Sequence, residues 1–207
     1  SSQRSISATE NMYYPLHHLW YWTGEFFSAS YQTDGTVMVV DPGYQYSVDK
    51  GSTAEDRLTS NEVNTIVIPG VGSSSRGSAA MAKLIANYLD EPVGAIVAGY
   101  GTLDMAQEGT EGYFIGRTNN KDQTYYPNDA SDALVDLMKN GFEPDRIVGH
   151  SKGNMDAANA LFKLEDDGYE DSYADTTFIT FGCGVFVPDG VQLRQYKGTA
   201  DPLGDTN

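Results

Sequence analysis

Ser151 lies between Gly149 and Gly153 in the stretch Arg146-Ile147-Val148-Gly149-His150-Ser151-Lys152-Gly153-Asn154. The order is a short apolar strand, a sharp turn, then a helix rich in Ala157, Ala158, Ala160 and Leu161. Pro144 and Asp145 mark the turn before the strand. The pattern is G-x-S-x-G, that of a nucleophile elbow. A serine on such a turn takes strained backbone angles. A side chain two residues away on either side would strike the neighbouring strand or helix. The strain leaves the hydroxyl exposed, and the helix aims its first N–H groups at negative charge formed there. The chemistry this suits is nucleophilic attack by a serine on a carbonyl carbon. The plainer alternative is a Gly-rich strand–helix connection in some other α/β fold.

A serine hydroxyl attacks only when a base takes its proton, and the resulting oxyanion needs donors. Two donors are expected here. One is the backbone N–H of Lys152, directly after the serine. The other is the Val71 N–H in Pro69-Gly70-Val71-Gly72, the loop after an earlier buried strand. That loop also reads simply as a tight strand-to-helix turn. It is a poor phosphate cradle. Residues 72–78 spell G-x-x-x-x-G-S without the Walker lysine, and Gly70-x-Gly72 is followed by Ser75, not the third glycine of a dinucleotide fingerprint. Asp201 follows a late strand and precedes Pro202. A carboxylate there can orient an imidazole on the same edge as Ser151, while the alternative is an Asp-Pro turn.

Gly149-His150-Ser151-Lys152-Gly153, the alanine-rich helix, Phe178-Ile179-Thr180-Phe181-Gly182 and Gly198-x-x-Asp201-Pro202 together resemble an α/β-hydrolase, closest to the class-3 lipase-like or esterase branch. Some intracellular polyester depolymerases resemble the pattern too. The resemblance spans about 64–204, and its specific parts are the elbow and the Asp-Pro turn. It implies Ser151 as nucleophile, Asp201 as triad acid, and an ester or lipid-like substrate, with no metal or organic cofactor. The chain departs from that branch at Lys152, where leucine is usual, and at Asn154, where a small residue is usual. The family's base comes after the acid, beyond one more strand, yet the only histidines are His17, His18 and His150. His150 flanks the serine, and the elbow should turn it away from the hydroxyl. His17 or His18 would reach the site only if the N-terminal segment folds over the sheet edge. The expected histidine therefore comes from a continuation past Asn207 or from a partner chain, or else the site is degenerate. The last option gives a second function: a hydrolase fold kept as a structural or binding module without turnover.

Composition narrows the classes. With 40% hydrophobic and 12% aromatic residues, the 207-residue chain is expected to be one globular domain, at most with an appendage. A net charge of −16 repels a phosphate backbone, so nucleic acid is not an expected partner. Such an acidic surface suits a salty or secreted setting, or any soluble acidic protein. Cys183 is the one cysteine, so neither an internal disulfide nor a Cys-cluster metal site is expected, and its apolar surroundings suit a packing thiol. No apolar run approaches membrane-spanning length. The first residue is Ser1, not Met, which suggests processing and leaves cytoplasmic and secreted settings open.

The elements that must position these groups follow in order. Residues 1–35 form an aromatic-rich segment, with Met12, Tyr13, Tyr14, Trp20, Trp22, Phe26 and Phe27, that packs on the domain or meets an apolar surface. A hydrolase-like domain is expected over 36–207. Strands are expected over 36–41 and 44–48, a polar linker over 49–58, a doubly buried strand over 64–68, and a helix over 78–89 with Met81, Leu84, Ile85 and Leu89 on one face. A strand over 93–98 leads into 99–127, which has no period and suits a lid or substrate-binding insertion. A helix capped by Asn128 or Asp129 runs to Asn140 and ends at Gly141. The acidic run 165–171 lacks calcium-loop spacing and reads as solvated surface. Strands over 176–181 and 191–196 follow the elbow helix. The series predicts an α/β fold: a mostly parallel sheet with helices on both faces, with the hydrolase family's C-terminal strand and histidine loop missing from the sequence.

Overall fold

The computed structural model of the chain describes residues 35–45, 47–70, 75–98, 129–182 and 184–196. Among them a seven-stranded sheet carries helices on both faces. The strands are β1 (Val37–Val40), β2 (Val48–Lys50), β3 (Thr65–Ile68), β4 (Val93–Ile96), β5 (Arg146–His150), β6 (Thr177–Phe181) and β7 (Gln192–Tyr196). Their order in the sheet is β2-β1-β4-β3-β5-β6-β7. Only β1 runs against the rest, pairing antiparallel with β2 and with β4; every pairing from β4 to β7 is parallel. Hence β3 to β7 all end at one edge of the sheet, where loops can converge.

β1, β3 and β4 are buried at all four positions, as expected for strands covered on both faces. The helices are α1 (Ser52–Thr59), α2 (Ser75–Leu89), α3 (Asp129–Lys139) and α4 (Lys152–Asp166). Side-chain alternation sorts the core into two layers. Val37, Val39, Ile66, Ile68, Ile147 and Phe178 meet α1, α3 and α4 on one face. Met38, Val40, Val67, Ala95 and Val148 meet α2 on the other. α2 presses Ala79, Ala82 and Ala86 onto the sheet. The larger Met81, Ile85 and Leu89 flank that stripe and are only partly buried. The face expected from the large residues is thus rotated, because small side chains let the helix axis come close.

Two expectations fail in 41–59. The partner strand of β1 is Val48–Lys50, not 44–48, and the supposed linker is mostly helix α1. The connection is closed by the Asp41 N–H donating to the Ser47 carbonyl at 3.2 Å. Lys83 Nζ reaches across from α2 and donates to the Asp41 and Gln45 carbonyls at 2.6 and 2.8 Å. The helix forms around two apolar contacts, Ala54 and Leu58, both fully buried. Burying a leucine contributes about 2 kcal/mol, which outweighs the weak periodicity of two apolar positions in one short helix. Arg57 then fastens α1 to its neighbours, with ion pairs to Asp41 at 2.8 Å, Asp49 at 2.8 Å and Glu62 at 2.6 Å.

Among the described residues no helix is long and apolar enough to cross a membrane. The aromatic N-terminal positions with His17 and His18, the 99–127 insertion and Cys183 lie outside the described residues.

Candidate active site

Ser151 sits between β5 and α4 with φ 53° and ψ −123°. Positive φ is costly for a residue with a Cβ, of order 1–3 kcal/mol, and persists only where surrounding structure enforces it. Three contacts do so. The Ser151 N–H donates to the Phe181 carbonyl at the end of β6, at 3.0 Å. Asn154 Nδ2 donates to the same oxygen at 2.8 Å. The Asn154 N–H returns to the Ser151 carbonyl at 3.0 Å, closing the first turn of α4. The elbow is therefore tied to β6 by two donors sharing one acceptor.

Both flanking glycines are required by close approach. A Cβ on Gly149 would run into the Asn154 side chain and lie 3.0 Å from Asn154 Cα, so α4 could not fold back over β5. A Cβ on Gly153 would strike the Ile68 carbonyl oxygen and lie 2.5 Å from the Pro69 oxygen, pushing α4 off the end of β3. The spacing of the two glycines thus reflects packing of one helix against two strands.

A third glycine also approaches the serine closely. Gly70 follows β3, and a Cβ there would lie 3.0 Å from Ser151 Cβ, 3.1 Å from the His150 carbonyl oxygen and 3.2 Å from His150 Nδ1. The start of the Pro69-Gly70 loop is therefore packed directly on the serine. Val71, the expected oxyanion donor, is the next residue and lies outside the described ones. Lys152, the other expected donor, opens α4 beside Ser151. Its side chain does something the sequence did not signal. The ammonium is buried, donates to the Ala98 carbonyl at 3.2 Å and pairs with buried Asp156 at 3.4 Å. Asp156 is held in turn, its carbonyl accepting from Ser131 Oγ at 2.8 Å. This buried pair joins the end of β4 to the first turn of α4.

Asp201 lies outside the described residues. The strand before it, β7, ends at Tyr196 on the same edge as β5, with Tyr196 in register with Phe181 and Phe181 with His150. His150 is exposed, and alternation along β5 turns its side chain to the α2 face, opposite to Gly149. Among the described residues no group of three or more His, Cys, Asp or Glu could hold a metal ion.

Comparison with protein-family models, with curated proteins and with solved structures found no match.

Proposed function

We propose that the chain is a serine hydrolase of the α/β-hydrolase type, cleaving a carboxylic ester, lipid-like or small, through an acyl-enzyme on Ser151. The observation that carries this reading is the positive-φ backbone of Ser151 on a strand-to-helix turn, held by the Phe181 carbonyl and packed as closely as Gly149 and Gly153 allow. The packing of Gly70 on Ser151 supports it, because an oxyanion donor from the β3 loop must come close to the nucleophile. So does the sheet order, in which β5 is an interior strand flanked by β3 and β6, both ending on the same edge.

In this reading Ser151 Oγ gives its proton to an imidazole and attacks the ester carbonyl. The carbonyl electron pair moves to oxygen, where the Lys152 and Val71 N–H groups hold it. Collapse of the tetrahedral intermediate expels the alcohol, which takes the proton from the imidazole. Water then repeats the sequence on the acyl-enzyme and releases the acid. Asp201 orients the imidazole.

A fluorophosphonate probe tests the proposal. The native protein labels on Ser151, and Ser151→Ala does not. Absence of labelling in native protein that melts cooperatively would instead favour the binding module without turnover.

A further inference from the structure

Asn154 grips the elbow from two sides. It is fully buried in the first turn of α4. Its backbone N–H donates to the Ser151 carbonyl at 3.0 Å. Its side-chain Nδ2 donates at 2.8 Å to the Phe181 carbonyl, the same oxygen that accepts from the Ser151 N–H at 3.0 Å. Phe181 stands in register with His150, so this oxygen lies where the β5–β6 ladder meets the turn. The Oδ1 end of the amide fills the space that a Gly149 Cβ would need. Asn154 thus packs on Gly149, fixes the serine carbonyl and steadies the acceptor of the serine N–H.

Stability of the helix does not call for this amide. Asparagine is a poor helix former, and burying its side chain costs desolvation. The Phe181 carbonyl already accepts from the Ser151 N–H, so it would not be left unmet without Asn154. What the second donor adds is direction. A single hydrogen bond tolerates a broad range of angles at a carbonyl oxygen, and two donors from residues three positions apart narrow that range.

We infer that Asn154 is a positioning residue, which holds Ser151 at φ 53° through the Phe181 carbonyl and so keeps its hydroxyl poised for attack. This rests on the serine hydrolase reading above. A serine at positive φ relaxes toward ordinary backbone angles when its supports weaken. Only the fraction that stays strained presents the hydroxyl to a carbonyl. Loss of the amide therefore lowers the rate of attack and leaves binding of the substrate unchanged.

The test is covalent labelling by a fluorophosphonate probe over a range of concentrations, which separates the maximal rate from the half-saturating concentration. Asn154→Ala lowers the maximal rate about fivefold to tenfold, the size of one hydrogen bond, and moves the half-saturating concentration by less than about twofold. Val135→Ala, which thins the core on α3, lowers Tm without changing the maximal rate. The Ser151 amide exchanges with deuterium faster in Asn154→Ala than in Val135→Ala. If Asn154→Ala does not fold, Asn154→Ser takes its place with the same expectations, because its side chain is one atom shorter than the amide that reaches Phe181 and suits a first helical turn. An unchanged maximal rate in the folded variant overturns the inference. So does an equal fall in Val135→Ala, which would make the effect one of general stability. A native protein that never labels overturns the hydrolase reading and this inference with it. A native protein that labels no faster than Asn154→Ala removes this inference alone.

Discussion

The backbone at Ser151 holds a conformation that glycine would adopt without strain. Ser151→Gly should therefore raise the unfolding free energy by about 1 kcal/mol in urea titrations, while Ser151→Ala, which keeps a Cβ, leaves it nearly unchanged. Both lose probe labelling. A gain from glycine but not alanine would separate backbone strain from the loss of the hydroxyl. A second residue-scale prediction concerns Tyr173, whose buried hydroxyl finds no hydrogen-bond partner among the described residues. Burial, helped by Glu165 and Glu170, pushes its pKa from the usual 10 up to about 12. As pH rises past 10 the unfolded chain releases this proton first, so stability falls between about 10 and about 12. Tyr173→Phe should remove that part of the alkaline loss and add about 1 kcal/mol at neutral pH, by sparing an unmet polar group. Chemical denaturation at pH 7 and pH 10.5 checks both.

Among the elements, the junction of β1, β2 and α1 depends on Arg57. Its hydrogen bond, the largest cause, together with its charge, holds the Asp41 carboxyl below the ordinary 3.8. The folded state therefore prefers the ionised carboxyl. Its contribution is present above pH 3.8 and is lost as pH falls through the lower folded value. Asp41→Asn should make stability less steeply dependent on pH below about 4, at the cost of some stability at pH 7, as followed by thermal melts across that range. An unchanged acid slope would show that Arg57 is equally well satisfied by Asp49 and Glu62. This junction is also where the sequence misled. Three carboxylate partners and two buried apolar contacts make a helix whose pattern looks like a polar linker, because its stability comes from groups distant in sequence. The elbow was legible for the opposite reason. Gly149 answers to Asn154, five residues on, and Gly149 and Gly153 flank the turn at a fixed spacing, so the local pattern marks the bend although the strand that Gly153 meets does not show in it. The anchoring of Ser151 by the Phe181 carbonyl, the closeness of Gly70 and the burial of the Lys152 ammonium were not legible, since each depends on which strands become neighbours.

At the scale of the whole molecule, 29 acidic residues face 13 basic ones. General repulsion then outweighs the ion pairs among the described residues that salt would weaken, most of them part-exposed. Raising sodium chloride from about 0.1 M, where screening extends ~10 Å, to about 1 M, where it extends ~3 Å, should therefore raise Tm. About 1 kcal/mol of relief corresponds to roughly 2–4 °C for a chain of this size in a calorimetric scan. A falling Tm would mean that the Arg57 cluster and its like dominate over net charge.

The central strand β3 has one more consequence. It pairs on one side with β5, and Thr65 and Arg146, hydrogen-bonded there, are 81 positions apart. During synthesis at about 5–20 residues per second, roughly 4–16 s separate the emergence of the two strands from the ribosome. Through that interval the apolar run Ile66-Val67-Ile68 has no partner on its β5 side, so the nascent chain passes through a stage in which this strand offers an unpaired apolar edge.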